Sequence, residues 1–195
     1  MTATAPKEDL HWFEKTVEYA FIIDHARQLA WASPLDGNHE RAADAIFAIE
    51  GAKFLLIEFK RASGDFGSEE KKFEDYGKAK TALSTSGEDL HFFVFGARSD
   101  RGRELDVFAA PYWQHEPRLS VPDLLETKGC RDERSFREYV EKLIELKKKT
   151  EGSQGGPDYS FVAAVTREGE IQAISSLSEV FATEPSNEHT STPGW

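Results

Sequence analysis

Two apolar runs interrupted by charged residues decide the fold: ADAIFAI at residues 43–49 and FLLIEFK at residues 54–60. Isoleucine and phenylalanine recur in both runs, and a turn around Gly51 separates them. The sequence therefore predicts a β-hairpin formed by residues 42–49 and 53–61. Charged side chains inside otherwise apolar strands need partners, because burying them alone is costly.

The charged residues of this predicted hairpin are Asp44, Glu58 and Lys60. Glu58 and Lys60 are two positions apart on an extended chain, so their side chains leave the same face of the sheet. The hairpin would bring Asp44 beside them if the connecting loop has an odd length or a bulge. A two-residue turn at 51–52 would send Asp44 to the opposite face.

Two carboxylates and one ammonium group at one point suit a hard divalent cation. Mg²⁺ or Mn²⁺ would take the oxygens of Asp44 and Glu58, bind phosphate oxygens and help to generate a hydroxide nucleophile. Lys60 could orient the attacking water or stabilise the developing charge. The alternative is a salt-bridged hairpin edge without chemistry.

Helices are predicted on both sides of this hairpin. The first covers residues 9–31, with Asp9 as its N-cap. Its apolar stripe consists of Leu10, Phe13, Val17 and Phe21. A second helix over residues 69–83 presents Phe73, Tyr76 and Leu83 inward.

The later part of the chain predicts more strands and one long helix. The strands cover residues 91–95, 105–110, 159–165 and 171–174. Ser135 is predicted to cap the helix, whose apolar stripe consists of Phe136, Tyr139, Val140, Leu143 and Ile144. We expect one α/β domain over residues 9–182, with a central mixed sheet of about five strands flanked by helices and a C-terminal helix and hairpin. Residues 1–8 and 183–195 are predicted to be disordered tails.

The order of elements over residues 9–110 resembles the PD-(D/E)xK nuclease superfamily. Its core is a helix, a hairpin that bears an acid and then ExK, a crossover helix and further strands. Asp44 matches the aspartate of the motif, Glu58 its second acid and Lys60 its lysine, while Ala43 stands in place of the proline. The resemblance implies a restriction-endonuclease-like fold and metal-dependent phosphodiester cleavage.

The same family often supplies another acid from the first helix. Glu14 and Glu18 lie one turn apart beside the apolar stripe, and we favour Glu18 for this role. Asp24 is the rival, because it falls on the stripe itself, where an unpaired carboxylate would be costly. It could instead pair with Arg27 or Arg41.

A possible nucleic-acid path follows the predicted crossover helix. Lys72, Tyr76 and Lys80 are four positions apart and would share one helix face. A solvated helix face is the alternative, since the neighbouring glutamates compensate the lysine charge.

Composition limits the choice of partners. The chain of 195 residues carries a formal net charge of -11, so its surface repels nucleic acid unless basic residues are concentrated where the phosphates lie. Cys130 is the only cysteine, which excludes an internal disulfide and a cysteine-based zinc site. No apolar run is long enough for a membrane span, and the start of the chain has no secretory signal pattern, so we expect a cytoplasmic protein.

These observations predict two classes of function. The first is a Mg²⁺-dependent nuclease that acts on DNA more readily than on RNA, alone, as a homodimer or in a larger complex. The second is a catalytically inactive interaction subunit, such as an immunity-like or phage-defence protein, whose acidic surface binds a basic partner protein.

Overall fold

The computed structural model of the chain describes residues 12–25, 31–32, 51–98, 105–147 and 160–180. Its strands are β1 (Trp31–Ala32), β2 (Lys53–Lys60), β3 (His91–Ala97), β4 (Asp106–Pro111), β5 (Leu119–Ser120), β6 (Ser160–Val165) and β7 (Ile171–Ser176). Its helices are α1 (Glu14–His25), α2 (Gly67–Glu70), α3 (Tyr76–Gly87), α4 (Val121–Thr127), α5 (Glu133–Leu146) and α6 (Leu177–Val180).

All the described strands form one mixed sheet in the order β1-β7-β6-β2-β3-β4-β5. β2 and β3 are parallel, and α3 lies in the crossover between them, where the crossover helix was predicted. β6 and β7 form the expected C-terminal hairpin. The mixed α/β architecture with flanking helices is therefore confirmed. The predicted tails at 1–8 and 183–195 lie outside the described residues.

β2 is paired along both edges. Lys53–Glu58 pair antiparallel with β6, and Leu56–Lys60 pair parallel with β3. On the edge away from β6, Phe54 exchanges two backbone hydrogen bonds with Cys130. The start of β2 therefore has no free edge at which a tight hairpin with the preceding segment could form, so the predicted hairpin is wrong. Strand periodicity is local and does not say which strand becomes the neighbour. Residues 42–49, with Asp44, lie outside the described residues.

The sheet buries apolar side chains on both faces. On the first face, Phe54 and Leu56 of β2 pack beneath α3 and α5. On the second face, Leu55, Ile57 and Phe59 pack against α1 and α4. The alternation along β2 places Glu58 and Lys60 on the first face, in line with Phe54 and Leu56.

α1 is shorter than predicted. It begins at Glu14, so Phe13 precedes the helix and is 75% exposed, whereas Val17 and Phe21 are buried as expected. Trp31, predicted at the end of this helix, lies in β1 instead. None of the described helices is both long and apolar enough to cross a bilayer.

The helix predicted over residues 69–83 is divided into α2 and α3, with a turn between them. Asp75 caps α3, since its side chain accepts a hydrogen bond of 2.9 Å from the backbone N–H of Lys78. A side chain that satisfies the first N–H groups allows a new helix to begin there. Lys72 therefore precedes α3 and does not share a helix face with Tyr76 and Lys80, which corrects the prediction.

α5 also begins at a different cap. Asp132 accepts a hydrogen bond of 2.8 Å from the backbone N–H of Ser135, so Ser135 lies inside the helix. The predicted stripe is buried against the sheet at four positions: Phe136, Tyr139, Val140 and Leu143. Ile144 is 43% exposed and was wrongly included in the stripe.

Candidate functional site

Four charged side chains form a closed arrangement on the first face, which we call the four-charge ring: Glu58, Lys60, Glu69 and Lys72. Lys60 Nζ lies 3.4 Å from Glu58 Oε1 and 2.5 Å from Glu69 Oε1. Lys72 Nζ lies 3.2 Å from Glu58 Oε1 and 2.8 Å from Glu69 Oε1. Both ammonium groups therefore bind the same two carboxylate oxygens.

The remaining oxygen of each glutamate is held by a hydroxyl group. Ser160 lies directly opposite Glu58 in the sheet and donates a hydrogen bond to its Oε2. The Tyr112 hydroxyl donates to Glu69 Oε2 over 3.3 Å. Each carboxylate thus directs one oxygen at the two lysines and is fixed through the other oxygen.

Aromatic residues position the segment that carries Glu69 and Lys72. Phe66 stacks on Phe93 of β3, with ring centroids 4.3 Å apart. Phe73 is buried against Trp113. These two anchors flank the segment and hold it over the sheet, so Glu69 reaches the Lys60 ammonium from above.

Burial and charge together set the ionisation of the ring. The pKa of Glu58 is lowered from 4.5 to about 2. Burial alone would raise it, but three ammonium groups and one hydroxyl favour the carboxylate: those of Lys147, Lys72, Lys60 and Ser160. Burial would likewise lower the pKa values of both ring lysines, yet the two carboxylates raise them above the ordinary value. The attraction between the carboxylates and the ammonium groups therefore outweighs burial and keeps Glu58, Lys60 and Lys72 charged.

The first-helix carboxylate that reaches this ring is Glu14. Its Oε1 lies 3.8 Å from Lys60 Nζ, and its side chain is 27% exposed. Burial raises its pKa above the usual value. Glu18, the residue that the sequence favours for this role, is instead buried and pairs with Lys15 at 2.7 Å. Asp24 is exposed on α1 and does not lie on the buried stripe.

The three residues predicted to contact nucleic acid have different environments. Lys72 belongs to the four-charge ring. The ring of Tyr76 packs against Phe73 and Trp113, with centroid distances of 5.7 Å to each. Lys80 is exposed on α3. Lys80 and the part-exposed Lys72 are therefore the members of this set that offer charge near the surface.

A second polar group lies behind the ring. Trp113 Nε1 donates to Tyr139 Oη over 2.8 Å, and Tyr139 Oη is 2.7 Å from His91 Nδ1. His91 also stacks on Tyr112, with ring centroids 3.8 Å apart. Burial holds the pKa of His91 well below its usual value, so the imidazole of His91 is neutral. Tyr112 and Trp113 are both buried and belong to the core.

The ring partly fits the chemistry of a divalent cation. Glu58 Oε1 and Glu69 Oε1 already bind cationic groups, and carboxylate oxygens are the donors that Mg²⁺ and Mn²⁺ prefer. Within the described residues, no three acidic, histidine or cysteine side chains form a metal-binding group. Asp44, the other predicted metal ligand, lies outside those residues, so the fit rests on the two glutamates.

Comparison with known proteins adds no family. Searches of protein-family models, of curated proteins and of solved structures each found no match for this chain. The site is therefore interpreted from its own geometry.

Proposed function

We propose that the chain is a metal-dependent nuclease of restriction-endonuclease-like fold, which hydrolyses phosphodiester bonds in DNA. The supporting observation is the convergence of three carboxylates on one buried ammonium group. Lys60 Nζ lies 2.5 Å from Glu69, 3.4 Å from Glu58 and 3.8 Å from Glu14. The ExK pattern requires a glutamate and a lysine on the same face of a strand, which Glu58 and Lys60 satisfy on β2.

Each charged residue of the site would have its own role in phosphodiester hydrolysis. Glu58 and Glu69 would hold the cation, which supplies polarisation of a phosphoryl oxygen and activation of water. Lys60 stays protonated because its pKa is raised, so it would stabilise the negative charge that develops on the phosphate. Glu14 is part exposed and has a raised pKa, so it would exchange a proton with the attacking water.

Because the chain is acidic, DNA binding would need a basic surface supplied by another subunit. A formal charge of -11 opposes the approach of a polyanion. A homodimer or a larger cytoplasmic complex would supply the basic surface that one copy lacks.

Removal of the Lys60 ammonium tests the nuclease. We expect the purified protein to degrade single-stranded, duplex or branched DNA with Mg²⁺ or Mn²⁺, and Lys60→Ala to abolish cleavage. Lys142→Ala removes the same charge from a side chain that is 53% exposed, and it should cleave like the wild type. Circular dichroism must show that both variants are folded. Absence of cleavage by the wild type on all three substrates would contradict the proposal.

One observation favours an inactive interaction subunit as the second candidate. Glu58 is fully buried and both ring glutamates are neutralised by lysines, so the ring also suits a purely structural role. Calorimetric titration with Mn²⁺ separates the two functions. The nuclease should bind Mn²⁺ and lose binding in Glu58→Gln, whereas the interaction subunit should show no binding in either protein.

A further inference from the structure

Lys72 is the member of the four-charge ring that reaches solvent. Its side chain is 40% exposed, whereas Glu58, Lys60 and Glu69 are at most 4% exposed. Its ammonium group binds Glu58 Oε1 and Glu69 Oε1 together. A cation on a part-exposed side chain therefore satisfies two buried oxygens from the solvent side.

We propose that the Lys72 ammonium is a displaceable cation, and that Mg²⁺ or Mn²⁺ binds the same two oxygens, Glu58 Oε1 and Glu69 Oε1, when Lys72 leaves. The inference rests on the proposed function for the identity of the cation. A divalent cation would reach the two oxygens from the solvent side and bind them at about 2.0–2.2 Å, in the position that the part-exposed Lys72 ammonium occupies and the buried Lys60 ammonium does not. Occupation by Lys72 and by metal is therefore mutually exclusive.

The surroundings allow Lys72 to leave while the two carboxylates stay in place. Ser160 and Tyr112 hold the other oxygen of each glutamate, and neither contact involves Lys72. Lys72 follows α2 in a turn, and its flexible side chain can turn to solvent without movement of the backbone. Lys60 cannot do so, because it is buried on β2. The oxygens are thus held in position for a replacement cation.

Titration with Mn²⁺ tests this competition without any assay of cleavage. Lys72→Met removes the ammonium group and keeps most of the apolar stem, so it should bind Mn²⁺ about tenfold more tightly than the wild type, a typical size for coupling between two ligands. Lys71→Met makes the same change at the exposed neighbouring residue and should bind like the wild type. In the Lys72→Met background, Glu69→Gln should lose the gain.

Two results would overturn the inference. One is a Lys72→Met protein that binds Mn²⁺ no more tightly than Lys71→Met, and the other is a gain that survives Glu69→Gln. If Lys72→Met does not fold, Lys72→Gln keeps a hydrogen-bond donor without the charge and carries the same expectation. Tighter Mn²⁺ binding by Lys72→Met, with no cleavage of DNA by the wild type, would support the competition and contradict the nuclease.

Discussion

At the scale of single residues, Glu58 is kept ionised inside the core by its partners. Removing a carboxylate from water costs several kcal/mol, and this cost is offset only when both oxygens find good partners. Here Oε1 binds two ammonium groups and Oε2 accepts a hydrogen bond from Ser160. Part of the stability of the fold therefore depends on the charge of Glu58.

This dependence gives a prediction for acid unfolding. The folded pKa of Glu58 is about 2 and its ordinary value is 4.5. Between these values the unfolded chain binds a proton at Glu58 and the folded chain does not. The contribution of Glu58 to the free energy of unfolding should be complete above pH 4.5 and lost as the pH falls towards 2. Urea denaturation at several pH values measures this slope.

Matched variants isolate the effect of Glu58. Glu58→Gln should be less stable at neutral pH, and its free energy of unfolding should fall less steeply between pH 4.5 and 2. Glu138→Gln makes the same change on a side chain that is 62% exposed, and its slope should equal that of the wild type. Equal slopes in all three proteins would show that Glu58 is not held ionised by the ring.

Only part of the ring was predictable from the sequence. Glu58 and Lys60 are two apart on one strand, so their shared face follows from strand geometry. Glu69 and Ser160 reach them through the tertiary fold, and Ser160 is separated from Glu58 by 102 positions. Glu69 had one local signal, its spacing of three from Lys72, but helix spacing alone does not show that a pair is buried.

At the scale of elements, the strands were predicted better than the helices. Residues 53–60 and 91–97 each contain an apolar run of the length that is typical of a buried strand. The neighbour of each strand depends on contacts distant in sequence, which is why the strand at 159–165 was predicted but its pairing with β2 was not. The predicted second helix is divided into α2 and α3 because Asp75 caps the start of α3. The spacing of apolar residues does not reveal such a cap.

The approach of α3 to α5 gives a prediction at this scale. A Cβ at Gly87 would lie 2.7 Å from Tyr139 Oη, the hydroxyl that binds His91 and Trp113. Gly87→Ala should therefore push the two helices apart and destabilise the fold by about 1–3 kcal/mol. Loss of the Tyr139 contacts should accompany the change. The midpoint of urea denaturation measures it.

A glycine in the same helix provides the control. A Cβ at Gly77 meets only Asp75 Oδ1, at the ordinary contact distance of 3.5 Å. Gly77→Ala should leave the stability unchanged or raise it by up to about 1 kcal/mol, because alanine favours a helix. If both variants had equal stability, the close packing at Gly87 would not limit the separation of α3 and α5.

At the scale of the whole molecule, the site gathers residues from both ends of the described chain. Glu14 comes from α1, Glu69 and Lys72 from the crossover, and Ser160 from the C-terminal hairpin. The resemblance over residues 9–110 could not include Ser160. The molecule that carries this site is acidic overall, because it has 35 aspartates and glutamates and only 24 lysines and arginines.

This charge leads to a prediction about DNA binding. Without divalent cations, the net charge of -11 opposes association with a short duplex. A cation held by Glu58 and Glu69 would reduce the local negative charge and contact a phosphate oxygen directly. We therefore expect Ca²⁺, used in place of Mg²⁺ to limit cleavage, to strengthen binding of a fluorescent duplex by about tenfold or more, as an added cation contact would. Fluorescence anisotropy measures the change.

If the increase in DNA affinity comes from Ca²⁺ bound at the proposed site, it must depend on the residues of the four-charge ring. Glu58→Gln should lose the Ca²⁺-dependent part of the affinity, because the variant keeps the fold but offers one carboxylate fewer to the cation. Glu138→Gln changes the net charge by the same amount at the surface, so it should retain that part. If Ca²⁺ strengthened binding equally in both variants, cations would act by general screening of the acidic surface. The four-charge ring would then have no part in holding DNA.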